Sequence, residues 1–259
     1  MQDERSLGHL DVGSRDSRAA IVFLHGFTLD RTMWADQIAA LSVHHRVLAL
    51  DLPGHGASID TCGEVSSALE VLRCLDAVGV DRAVFVGSSL GATVAIDAAL
   101  ERVSLVERLV LLDPVLLGAP TANLEQATLA ELAQAGDLQA ARARWLDRPS
   151  FQETLRHEAA ARRLREMVSR YRGGHWLGHV REAWLHAPHT GKLPGIGCPM
   201  TVIVGARGGP RGTEMACEVA RQSPLSRLEI LDDVGHLVAL ERPEYLTRRL
   251  MEELATRTS

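Results

Sequence analysis

The residues from Val84 to Leu100 constrain this chain more than any others. Val84-Phe85-Val86 is an apolar, β-rich run that enters Gly87-Ser88-Ser89-Leu90-Gly91. It leaves as Ala92-Thr93-Val94-Ala95-Ile96-Asp97-Ala98-Ala99-Leu100, where the apolar residues take helical spacing. A strand, a sharp turn and a helix therefore follow in direct succession. In such a Gly-x-Ser-x-Gly turn, strand and helix backbones come too close for side chains at the glycines, and the serine between them is strained, with its Oγ exposed at the sheet's edge. The competing reading is a Gly/Ser loop in which Ser88 or Ser89 simply caps the helix.

The flanking sequence repeats this alternation. Leu7 to Val12 reads as a short edge strand and Ala19 to Leu24 as a buried one. Trp34, Ile38 and Leu41 mark a helix, Arg46 to Leu50 a strand, Asp51 to Ser58 a Pro/Gly turn, and Glu64 to Val78 a helix that Gly79 ends. After the serine turn come a strand, Leu109 to Leu112, and then Asp113-Pro114. From about Leu116 to Pro194 the rhythm breaks into helical spacing with no convincing strand, at Leu124, Leu129 and Leu132 and again at Leu155, Leu164 and Met167. It resumes with a strand at Thr201 to Val204, a helix at Thr213 to Gln222, a strand at Leu228 to Leu231 and a helix at Pro243 to Leu254. The expected architecture is α/β: a mostly parallel central sheet flanked by helices, with residues 1–115 and 195–259 forming the core and 116–194 a helical insertion.

Bulk properties narrow the function. Hydrophobic residues make up 46% of the chain and charged residues 24%, with a net charge of -5, an ordinary globular balance that offers no electrostatic footprint for nucleic acid. Arginines do gather between Arg142 and Arg172, but they alternate with glutamates as on solvated helix faces. Met1-Gln2-Asp3-Glu4-Arg5 is polar and no apolar run is long enough to span a bilayer, so a cytoplasmic protein without membrane contact is expected. Cys62, Cys74, Cys198 and Cys217 are widely spaced, as reduced thiols would be, and imply neither a disulfide framework nor a zinc site.

Four motifs, in order, carry a resemblance: His25-Gly26-Phe27-Thr28, Asp51-Leu52-Pro53-Gly54-His55-Gly56, Gly87-Ser88-Ser89-Leu90-Gly91 and Val234-Gly235-His236-Leu237-Val238-Ala239-Leu240-Glu241-Arg242-Pro243. Together they resemble the α/β-hydrolase fold family over the whole chain except the insertion, which is similar to that family's variable helical cap. The resemblance implies that Ser89 is a nucleophile and His236 the base that takes its proton, since a serine hydroxyl alone is a poor nucleophile at neutral pH. The chain order, serine before histidine, agrees. It also implies that the backbone N–H groups of Leu90 and Phe27 stabilise the oxyanion that forms on acyl attack. His25 reads as bracing that loop or, with Trp145, Trp176 and Trp184 of the insertion, as lining a substrate pocket; the tryptophans equally suit packing of the insertion onto the core.

The third catalytic member departs from the family pattern. An acid usually follows the strand before the last, in a stretch resembling Gly-x-x-Asp, yet here Val204-Gly205-Ala206-Arg207-Gly208 puts glycine in that position. Three explanations stand open. Asp113, after the preceding strand, can supply the acid, as it does in some members such as haloalkane dehalogenases, although Asp-Pro is also ordinary turn chemistry. Asp232 or Asp233 can serve. Or the site is a Ser–His dyad.

His175 and His179 are spaced like helix-borne metal ligands, with His186 and His189 following, but no acidic or cysteine partner accompanies them, and neither metal nor cofactor is expected. Arg170, Arg172 and Arg181 suit either a substrate carboxylate or a solvated face. The expected activity is hydrolysis of an ester, thioester or lactone of a small or medium acyl substrate. The alternatives are a lyase like that of menaquinone synthesis, from which Ala92-Thr93 departs where that family carries arginine, a cofactor-free dioxygenase, and a degenerate binding protein. No sequence feature sets substrate identity or oligomeric state.

Overall fold

The computed structural model describes residues 7–15, 17–118 and 124–255. The Met1–Arg5 stretch, the start of the insertion after Gly118 and the last residues lie outside them. In chain order the core runs β1 (His9–Val12), β2 (Ala20–Leu24), α1 (Ala35–Leu41), β3 (Val47–Leu50), β4 (Gly63–Val65), α2 (Ser67–Ala77), β5 (Ala83–Ser88), α3 (Leu90–Glu101) and β6 (Val106–Leu112). The insertion follows as α4 (Leu124–Gln134), α5 (Leu138–Leu146), α6 (Gln152–Arg156), α7 (Glu158–Arg170) and β7 (Val180–Glu182). The chain closes with β8 (Met200–Gly205), α8 (Pro210–Gln222), β9 (Ser226–Leu231), α9 (Val238–Glu241) and α10 (Pro243–Ala255).

Seven strands form one sheet in the order β1-β3-β2-β5-β6-β8-β9. Only β1 is antiparallel to its neighbour. The continuous apolar runs of β2, β3, β5 and β8 are buried throughout, as a parallel sheet covered on both faces requires. Strand alternation divides their side chains between two layers. Val22, Leu24 and Phe85 pack with Val71 and Leu75 of α2, Val94 and Ala98 of α3, and Val219 of α8. Ile21, Phe23 and Val86 pack with Leu41 of α1, Leu246 and Leu250 of α10, and Trp145 and Leu164 of the insertion. β5 lies at the centre of the sheet and delivers the serine turn at its carboxyl end, the edge where open α/β sheets form their sites.

Two expectations are corrected. The helix expected from Glu64 begins only at Ser67, because Ser66 caps it by accepting the Leu69 N–H and Gly63–Val65 is a strand. That strand pairs in parallel with β7, Gly63 opposite Val180 and Val65 opposite Glu182, so the insertion is not purely helical. Each strand is three residues long and its partner is remote in sequence, so neither leaves a local period to read. Polar links then fasten the insertion to the core. Arg163 donates to Thr32 O and Met33 O, both at 3.1 Å, and Arg170 pairs with Asp30 at 2.7 Å. The Asp97 carboxylate of α3 accepts the N–H groups of Leu185 and His186 at 2.9 Å and His189 Nε2 at 3.1 Å. Among the described residues, no helix is long and apolar enough to cross a membrane.

Candidate active site

Ser89 adopts φ 52° and ψ -112°, a region costly for any residue with a Cβ and held only when its surroundings over-determine it. The surroundings are the two glycines. A Cβ on Gly91 would overlap the Leu24 carbonyl oxygen, and one on Gly87 would overlap the Gly91 backbone. The Ser89 N–H also donates to Leu112 O at 2.9 Å, which fastens the turn to the end of β6. Asp113 is the next residue on that strand. It too has a positive φ, 45°, and its N–H donates to Ile203 O of β8 at 2.8 Å.

His236 reaches this edge from the loop after β9. Its Nδ1 lies 3.5 Å from Asp113 Oδ1, a close contact that falls short of a formed hydrogen bond, since that oxygen has no bonded partner. The other carboxylate oxygen receives the Gly205 N–H at 3.5 Å. Burial pushes the Asp113 carboxyl above its ordinary value, against the pull of the neighbouring imidazole. Gly208, at the family's usual acid position, faces the same two residues: a Cβ there would lie 3.2 Å from His236 N and 3.4 Å from Asp113 Oδ1. A glycine leaves this space to the Asp113 carboxylate. Asp232 and Asp233 are exposed, and Asp233 pairs outward with Arg242 at 2.5 Å. Of the acids considered from sequence, the structure brings Asp113 to His236.

The loop after β2 abuts the serine turn. A Cβ on Gly26 would lie 3.6 Å from Ser88 O and 3.7 Å from Ser89 Cβ, so Phe27 is held beside the turn. Two buried histidines brace this loop. His25 Nδ1 donates to Gly26 O at 2.8 Å while its Nε2 accepts the Leu52 N–H at 2.9 Å. His55 Nδ1 donates to Pro53 O at 2.9 Å while its Nε2 accepts the Thr28 N–H at 3.1 Å. Each ring is thus fixed as one neutral tautomer, and burial holds both below the ordinary histidine range, His55 furthest. With both nitrogens committed and no exposed surface, His25 braces the loop and does not line a pocket. The bracing role of His55 went unread because, apart from the family resemblance, Asp51 to Ser58 reads only as a turn.

Phe27 lies at the centre of an aromatic cluster. Its ring meets His175 at 5.2 Å, Trp145 at 5.3 Å, Tyr171 at 5.5 Å and Trp176 at 6.1 Å, all edge-on. Phe151 extends the cluster to His236, 6.1 Å between ring centres. Trp145 and Trp176 therefore pack against Phe27. Trp184 does not: it packs with the layer on the α2 and α3 side of the sheet and meets His189 edge-on at 6.3 Å. The four insertion histidines also part company. His175 joins the aromatic cluster, where burial lowers it to about 4. His179 is exposed, His186 bonds Glu101 and His189 bonds Asp97. Among the described residues, no group of three or more His, Cys, Asp or Glu side chains could hold a metal ion. Arg170 is committed to Asp30 and is not free to clamp a substrate carboxylate.

A family model described as the alpha/beta hydrolase family matches residues 21–249. The chain is 24% identical over 245 residues to the (E)-2-((N-methylformamido)methylene)succinate hydrolase of Acinetobacter baylyi, covering 91% of this chain and 90% of that protein. The enol-lactonase of Burkholderia xenovorans LB400 superposes with a TM-score of 0.81 at 27% identity, over 96% of both chains. MenH of S. aureus superposes with a TM-score of 0.82 over 96% of this chain and 99% of that one; at 19% identity it speaks for the fold alone. Sequence match, sheet order and strained serine turn agree, and the chain belongs to the alpha/beta hydrolase family.

Proposed function

We propose that this hydrolase cleaves an ester, thioester or lactone of a small or medium acyl substrate through an acyl-enzyme on Ser89. The observation that carries the reading is the strained Ser89 turn, hydrogen-bonded to the end of β6, whose next residue is the buried carboxylate facing His236. Ser89 Oγ attacks the acyl carbon and His236 takes its proton. Asp113 holds the Nδ1 proton and offsets the imidazolium charge, and its 3.5 Å separation shortens in the substrate complex, as such contacts commonly do. The Phe27 and Leu90 N–H groups receive the oxyanion. The intermediate collapses as His236 returns the proton to the leaving group, and water releases the acyl chain by the same steps.

Residues 116–194 act as a cap on a core made of 1–115 and 195–259. The cap brings Trp145, Trp176 and Phe151 to the Phe27 side of the site and sheds water from it. A hydrolase of a substituted succinate and an enol-lactonase among the relatives support a small acyl substrate. Ser89→Ala should abolish turnover of nitrophenyl esters and covalent labelling by a fluorophosphonate; retained turnover in the folded variant would end the acyl-enzyme reading. Cofactor-free dioxygenases of this fold pair their histidine with an acid after the corresponding strand, so the placement of Asp113 after β6 keeps one second reading, oxygenation without a cofactor. An oxygen electrode with aromatic substrates tests it, since hydrolysis consumes no oxygen.

A further inference from the structure

The loop that carries His236 is held by a carboxylate to which nothing so far gives a role. Gly235 N–H donates to Glu241 Oε2 at 2.6 Å and Leu237 N–H to Glu241 Oε1 at 3.3 Å, so one side chain grips the residues on either side of the histidine. Glu241 is buried, and its Oε1 also accepts the Thr154 hydroxyl at 2.5 Å from α6 of the insertion. The fit is close: a Cβ on Gly235 would lie 2.8 Å from Glu153 Cβ and 2.9 Å from Glu241 Oε1. Glu153 meanwhile pairs with Arg207 at 3.1 Å, and the Arg207 N–H donates to Val234 O at 2.9 Å. Consecutive residues of α6 are thus wedged against the base loop and tied to the loop that carries Gly208.

A buried carboxylate is costly unless its oxygens are satisfied. Two of its three donors, the Gly235 and Leu237 N–H groups, flank residue 236, and the third, the Thr154 hydroxyl, comes from the insertion. The need for such a grip follows from the acid. With His236 Nδ1 3.5 Å from Asp113 Oδ1, longer than a formed hydrogen bond, the placement of the imidazole depends also on the backbone that carries it. We propose that Glu241 is the positioning residue for His236, and that Thr154 extends this control to the insertion, so that docking of α6 sets the base. The proposal rests on His236 acting as the base for Ser89.

The test compares Thr154→Val, which removes the hydroxyl at nearly equal volume, with Thr154→Ser, which keeps it, and with Glu241→Gln, which presents an amide donor to the loop's N–H groups. With a nitrophenyl ester as substrate, Thr154→Val should lower kcat about tenfold, a part of the ~10²–10⁴ that a positioned base contributes, with KM nearly unchanged and the melting temperature lowered by the loss of a buried hydrogen bond to a carboxylate. Thr154→Ser should restore it. Glu241→Gln should lower kcat further, and the double variant should be no worse than Glu241→Gln alone, because both substitutions break one chain of contacts. In histidine-15N-labelled protein, with no substrate, the His236 ring resonances should be sharp in wild type and Thr154→Ser and exchange-broadened in Thr154→Val and Glu241→Gln. Wild-type kcat with sharp resonances in Thr154→Val, or equal losses in the valine and serine variants, would overturn the proposal. An active Ser89→Ala enzyme would instead sink the acyl-enzyme reading, and the resonances would still decide on positioning.

Discussion

If Asp113 is the acid, removing its charge and then returning the charge from Gly208 should switch catalysis off and partly on again. Asp113→Asn keeps the shape and removes the charge facing His236 Nδ1 at 3.5 Å. At an effective dielectric constant of about 20, unit charges at that distance attract by roughly 5 kcal/mol, which is the stabilisation the imidazolium loses in the transition state. By transition-state arithmetic that is roughly 10³-fold in kcat, less whatever the asparagine carbonyl recovers as an acceptor. Asp113→Asn/Gly208→Asp places a carboxylate on the other strand end. Its Cβ would start 3.2 Å from His236 N and 3.4 Å from the former Oδ1 position, so the backbone must give slightly while the charge reaches the same imidazole. The double variant should regain at least tenfold over Asp113→Asn, a partial return of that Coulomb energy. The assay is kcat/KM on a nitrophenyl ester, with folding checked by near-UV circular dichroism. An Asp113→Asn enzyme within threefold of wild type would mean a Ser–His dyad, and a folded double variant with no recovery would refute the relocated acid.

Two further outcomes concern stability. His25, His55 and His175 are all held below the ordinary histidine range by burial, so below pH 6.5 the unfolded chain binds protons that the folded chain refuses. Stability should therefore fall as pH drops from 6.5, with His175, lowered from 6.5 to about 4, alone accounting for about 3 kcal/mol by pH 4. Urea titrations across this range should show proton uptake on unfolding that drops by about one in His55→Phe; uptake unchanged in that variant would refute the assignment. Asp113 works in the opposite sense. Burial raises its folded pKa, so the native state binds the extra proton and loses stability as pH rises from 3.8 through the folded value. Asp113→Asn should then melt higher than wild type at pH 7 while being less active; a lower melting temperature would show that the charge stabilises the fold.

What was legible in the sequence is what local pattern encodes. The serine turn could be read because the change from strand to helical spacing and both backbone-contact glycines lie within a few residues of Ser89. The buried strands could be read because a sheet covered on two faces writes unbroken apolar runs. Residues whose role depends on a partner far along the chain were not legible. β4 and β7 are three-residue strands that make sense only as a pair. Trp176 and Trp184 lie close in sequence, yet β7 sits between them and sends them to different layers. His55 and Glu241 both lie inside motifs that carried the family resemblance. Their work, though, is to accept N–H groups at Thr28 and around His236, which no spacing rule reports.

The placement of Asp113 shows how far position in the fold can stand in for position in sequence. β6 and β8 are neighbours, with Leu112 opposite Ile203, and the Asp113 N–H bonds Ile203 O, so the two strands deliver their next residues to one place. A carboxylate from either end can meet an imidazole arriving from β9, provided the other end leaves room. Gly208 leaves it. Asp113 must bend back from its strand to use it, and its φ of 45° records that bend, a strain of order 1–3 kcal/mol for a residue with a side chain. A turn serving only to end a strand before Pro114 has no need of such a backbone, nor of a carboxylate buried against an imidazole. Both become intelligible once the aspartate is held for its charge. Replacing Gly208 with alanine should therefore damage activity, because the added Cβ, 3.4 Å from Asp113 Oδ1, crowds the carboxylate that faces His236.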